Sequence, residues 1–132
     1  MFRKLQHAIT PMIIVFIIHT ILIFTIDIYY IFPDFDIIMH GAGGIATAWA
    51  IWNLFNIYKE KHDIVIRPKL VMMLFLIGTT AIVGIAWEFF ELAHDIFFQN
   101  ITYQVSIADT VGDLLMDLAG AFLLSLIIRK RL

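Results

Sequence analysis

Long apolar runs separated by short polar segments divide the chain into four stretches, each suited to crossing a bilayer. A helix needs about 20 mostly apolar residues to traverse roughly 30 Å of hydrocarbon. That length predicts spans at about residues 12–31, 36–58, 69–95 and 107–128. Thr10-Pro11 supplies the first span with a capping residue and the proline favoured at a first helical position. Phe32-Pro33-Asp34 breaks the chain before the second, and Arg67-Pro68 opens the third. Ser106-Ile107-Ala108-Asp109 has the form of a capping-box start for the fourth. Lipid offers no partner to unpaired backbone, so four such segments with short connections predict an all-α membrane bundle in one domain over residues 1–132.

Composition agrees. The chain is 61% hydrophobic and 15% charged, against about 45–50% and about 25% for soluble domains, and its mean hydropathy is +0.91. Nine Lys and Arg face eleven Asp and Glu, a balance that argues against a nucleic-acid partner. With no cysteine, disulfides, thiol catalysis and Cys-ligated metals are excluded. Phe2-Arg3-Lys4 resembles the basic start of a signal peptide, but the apolar run is too long and Asp27-Ile28-Tyr29-Tyr30 offers no small-residue cleavage site. The first span is therefore expected to be retained.

The charges are sorted by side. Arg3 and Lys4 precede the first span; Lys59, Lys61, Arg67 and Lys69 join the second and third; Arg129, Lys130 and Arg131 follow the fourth. The positive-inside rule makes that side cytoplasmic, with both termini inside, and implies a multi-pass protein of the plasma (inner) membrane. Only Glu60 and Asp63 of the acids share that side. The other nine lie in the outer connections or the outward halves of the spans. The sequon Asn100-Ile101-Thr102 falls in a short outer loop beside the bilayer and reads as a chance occurrence.

Asp109, Asp113 and Asp117 recur every four residues, and Glu88, Glu91 and Asp95 follow an i, i+3, i+7 stripe, so each set lies on one helix face. At 1.5 Å per residue from Arg129, Asp117 lies about 18 Å up and Asp113 about 24 Å; Glu88 and His40 each come out at about 28 Å from Lys69 and Lys59. Small residues on the second, third and fourth spans, including Gly44, Ala48, Gly84, Gly112 and Gly120, predict close helix packing.

Carboxylates at such depth cost about 2.5–3.5 kcal/mol each on insertion scales. No Lys or Arg lies within the membrane to pair with them, Lys69 standing at the inner boundary of its span. A bound cation is one remedy, and oxygen ligands with imidazole suit Zn, Mn, Fe or Mg, while all-oxygen sites suit Ca. The expected divalent-metal ligands are His40, Glu88, Glu91, Asp113 and Asp117, with Glu88 and Asp113 as catalytic residues; His94, Asp95, Asp109 and Asp27 are additional candidates. Asp34 and Asp36 read as caps of the second span, His19 as an interhelical hydrogen-bonding group, and Trp87 and Tyr29 as anchors or packing.

Glu91-Leu92-Ala93-His94 matches one Glu-x-x-His element of di-iron bundles, but the second element is missing. Trp87-Glu88-Phe89-Phe90-Glu91, followed by Asp109-Thr110-Val111-Gly112-Asp113-Leu114-Leu115-Met116-Asp117 and Gly120-Ala121, resembles the YjdF-like inner-membrane proteins over roughly residues 37 to 121. His40 resembles that family's His before a small-residue stretch. The chain is short for the family, whose pattern has further N-terminal spans. The resemblance implies that these polar positions form one site, and supplies no reaction. The expectation is thus an outward-facing acidic/His pocket binding a divalent metal and acting as a hydrolase or transferase on a lipid-linked substrate. Alternatives are a cation or proton transporter using the same carboxylates, or a small accessory subunit. The expected partners are the lipid bilayer, a lipid-linked small molecule or cation, and further copies of the chain.

Overall fold

Apolar sequence of this length can satisfy its backbone only in helices, and helices are what the computed structural model contains. It describes residues 2–26, 28–62, 64, 66–98 and 106–129. Asp27, the Asn100-Ile101-Thr102 sequon, Lys130 and Arg131 lie outside the described residues. The elements are α1 (Phe2–Ile26), α2 (Ile28–Ile31), α3 (Phe35–His62), α4 (Lys69–Phe98) and α5 (Ile107–Ile128), with no strand among the described residues.

Helix α1 starts at Phe2, earlier than the expected span, and carries Pro11 in its interior. Proline there removes a single intrahelical bond. Thr10 does not cap; its hydroxyl donates to the Gln6 carbonyl one turn back, at 2.7 Å. The start of α5 follows the expected pattern. Ser106 is its extended N-cap, and its hydroxyl accepts from the Asp109 amide at 3.1 Å.

Among the described residues, three helices are long and apolar enough to cross a membrane: Phe2–Ile26, Lys69–Phe97 and Ile107–Ile128. Helix α3, with 28 residues, is long enough but carries Asp36, His40 and three glycines in its first half. Its position accounts for that composition. It packs against α1, α4 and α5, so much of its surface meets protein and need not be lipophilic. The other three present large apolar side chains outward, among them Phe24, Ile82 and Leu115.

The closest crossing is that of α3 with α5. A Cβ on Gly44 would collide with the Asp117 backbone, and one on Gly120 with the Gly41 carbonyl and the Ile45 amide. The small residues therefore let two backbones touch, as expected from their spacing. Toward the end where the bases gather, the bundle fills with an apolar core of Ala48, Trp52, Met72, Leu76, Ala121, Leu124 and Ile128. At that end Lys4 pairs with Glu60 across α1 and α3 at 2.6 Å, and Lys69 donates to the Arg129 carbonyl at 3.2 Å. The acids meet at the opposite end.

Candidate functional site

Asp36 and His40 lie one turn apart on α3, Glu88 and Glu91 one turn apart on α4, and Asp113 and Asp117 one turn apart on α5. With α4 antiparallel and α5 parallel to α3, all six side chains come into the bundle interior, each less than 9% exposed. Three trios have ligand atoms lying within 4.8 Å of one another: Asp36, His40 and Glu91; His40, Glu88 and Asp113; and Asp36, Asp109 and Asp113.

His40 is the hub. Its Nδ1 lies 3.3 Å from Asp117 Oδ2, the pairing in which an imidazole N–H donates to a carboxylate oxygen. On the other side of the ring, Nε2 is buried without a hydrogen bond. It faces Glu88 Oε1 at 3.7 Å and Asp36 Oδ1 at 3.8 Å, distances too long for hydrogen bonds. Asp113 Oδ1 is likewise buried without a hydrogen-bond partner.

A ring of donors holds the outer carboxylates. Trp87 Nε1 donates to Glu91 Oε1 at 2.7 Å, one turn further along α4. Tyr29 donates to Asp36 Oδ1 at 2.8 Å and meets His19 Nε2 at 2.5 Å. Because the phenol gives its proton to Asp36, its oxygen accepts from His19. Gly84 leaves room for Asp117, whose Oδ2 a Cβ at that position would strike.

The expected residues His40, Glu88, Glu91 and Asp113 are brought together, and Asp109 joins Asp113 and Asp36. Asp117 stands outside the three trios, on the Nδ1 side of His40. His94 and Asp95 lie 3.9 Å from each other and also outside the trios. Asp27 is not among the described residues. Asp36 exceeds its expected role as a cap: it belongs to two of the trios. Trp87 and Tyr29, read as packing residues, are hydrogen-bond donors to the cluster. The Trp87–Glu91 pair had an i, i+4 signal in sequence; the Tyr29–Asp36 pair had none, because it depends on how α2 folds back beside α3.

A cavity of about 300 Å³ reaches the cluster from the side, walled by α1, α3 and α4. Asp36, His40 and Asp117 line one end of it, and most of the remaining wall is apolar.

Apolar helices outside and buried acids inside define a membrane protein. The chain belongs to the family described as "Predicted membrane protein (DUF2238)", which matches residues 2–132, and the YjdF-like resemblance agrees with that membership. A Thermotoga maritima protein described as uncharacterized is 27% identical over 96 residues, covering 73% of this chain and 48% of the relative. The chain thus spans about half the length of the curated relative it matches. No solved structure matches it.

Proposed function

We propose that this is a four-span protein of the plasma membrane, with both termini cytoplasmic and a divalent-metal centre opening to the outer side. His40 Nε2, Glu88 and Asp113 hold the ion. Asp36, Glu91 and Asp109 flank it, and Asp117 fixes the imidazole from behind. One observation carries the reading. His40 sets its Nδ1 against a carboxylate and turns a buried Nε2, without a hydrogen bond, toward acids that stand too far away to bond it. Carboxylate–His–metal arrangements have this order. Metal bonds of roughly 2.0–2.2 Å leave neighbouring ligand atoms roughly 3–4 Å apart, the spacing found around Nε2.

A divalent ion held by these residues would supply Lewis-acid activation of water. Glu88 serves as general base, and the chemistry is hydrolysis or group transfer on a lipid-linked substrate. The apolar core beyond the cluster supports this reading over ion passage through a single copy.

Metal analysis of protein purified without chelator tests the proposal. Wild type should contain stoichiometric metal, and Glu88→Gln, Asp113→Asn and His40→Ala should lose it. If wild type stays metal-free after Zn, Mn, Fe, Mg and Ca are each added back, the centre does not exist.

A further inference from the structure

The side cavity has features that a metal centre alone does not require. Among the described residues, α1 packs on α3 and α2 but not on α4 or α5. The space between α1 and α4 is closed only by side chains, such as Phe16 and His19 against Trp87, with ring centroids 6.0 Å apart in each pair. The cavity occupies this seam. Its rim residues Met12, Ile13, Phe16 and Val83 are 37%, 47%, 51% and 38% exposed, so it opens through the apolar outer surface of the bundle.

Inside, it follows α3 from His40 to Thr47 and α4 from Trp87 to Thr80, about 10 Å on each helix. There it stops, because Ala48 and Leu76 of the packed core lie next along the two helices. The result is a blind, largely apolar slot, open sideways and lined by acids and imidazole at one end. Its volume is near the lower limit of ligand pockets, roughly 300–1,000 Å³, which suits one chain and not a bulky ring system. Water is a poor occupant of such walls. In a bilayer, the medium at the rim is acyl chain.

We propose that this slot takes one acyl chain of a phospholipid entering sideways from the surrounding leaflet, with the lipid's phosphate brought to the Asp36–His40 end. Seating of the phosphate rests on the metal centre proposed above, since bare carboxylates would repel it. Seating of the chain rests on the seam alone.

The experiment uses the full chain in lipid nanodiscs. These contain a small fraction of phospholipid with a diazirine midway along one acyl chain, and adducts are mapped by peptide mass spectrometry after irradiation. Met12, Phe16 and Val83 should be labelled severalfold more than Ile82, which neighbours Val83 on α4 but is 68% exposed and outside the slot. Val83→Trp should fill the slot and reduce labelling at Met12 and Phe16 to the Ile82 level. If that variant does not fold, Met12→Trp fills the slot from the opposite wall and should do the same at Phe16 and Val83. Even labelling of slot and outer positions, or enrichment that survives a folded filling variant, overturns the proposal. Metal content measured on the same samples separates the two ideas. Enrichment in metal-free protein keeps the chain site and removes the metal centre, whereas even labelling in metal-loaded protein does the reverse.

Discussion

The two ring nitrogens of His40 have different surroundings, and that division governs the proposed centre. Asp117 holds Nδ1 at 3.3 Å, which leaves Nε2 as the nitrogen facing the acids. Spacing along α5 grouped Asp117 with Asp113 as equivalent ligands, because residues four apart share a face. In the fold only Asp113 joins His40 and Glu88 in a trio, while Asp117 lies against Nδ1 outside it, and only the position of α3 reveals the difference. Asp36 shows the opposite case. A carboxylate in a helix's first turn is normally a cap, and local sequence cannot show that Tyr29 and Glu91 will surround it. The two roles of His40 predict different losses. Asp117→Asn should weaken metal binding by about 10–100-fold, the usual effect of removing an orienting partner, while His40→Ala should remove binding. Competition against a metal-sensitive chelator dye measures both. Equal loss in the two variants would make Asp117 a ligand instead.

Helix α3 has close to the predicted length, and its composition follows from its central place in the bundle. Its glycines and polar residues make it the least lipid-like of the long helices, and it is the one that contacts all the other three. Hydropathy reads a helix against lipid, so a helix enclosed by protein is under-read by it. Small residues, by contrast, correctly indicated close packing at Gly44 and Gly120. They do not all behave alike. A Cβ on Gly120 would meet the Gly41 carbonyl and the Ile45 amide, backbone atoms that cannot step aside, whereas one on Gly78, or on Gly112 despite the packing expected of it, would meet nothing within 4 Å. Gly120→Ala should therefore push α5 off α3 at an overpacking cost of about 1–3 kcal/mol and disturb the His40–Asp117 pair. Gly78→Ala should stabilise the protein by up to about 1 kcal/mol, through helix propensity alone. Thermal unfolding of both variants in one detergent tests the contrast; a Gly120→Ala protein as stable as wild type would mean the helices cross less closely.

Across the whole molecule, charge and packing are arranged along one axis. Bases collect at one end, the apolar core fills the half next to them, and buried acids fill the other half. Six buried acid and imidazole side chains would be a heavy burden for an apolar bundle without compensation. A ligand that binds only the folded protein stabilises it by mass action, about 4 kcal/mol at a thousand times its dissociation constant. Chelation should accordingly lower the unfolding temperature of wild type and leave that of His40→Ala unchanged; an equal shift in both would trace the effect to something other than this centre.

The same axis gives the bundle two unlike ends. Lys4 paired with Glu60 and Lys69 bonded to the Arg129 carbonyl put the start of α1, the α3–α4 connection and the end of α5 together, so a single orientation rule decides them all. Because the chain has no cysteine, each end can be tagged without background. His62→Cys, at the exposed end of α3, should be protected from an impermeant maleimide in intact cells and become reactive after permeabilisation. Ile107→Cys, 85% exposed at the start of α5, should react at once. Labelling in the reverse pattern would turn the acid end and its cavity toward the cytoplasm. The retention of bases on the inner side would then have failed for all the described basic residues together, since the fold holds them at one end.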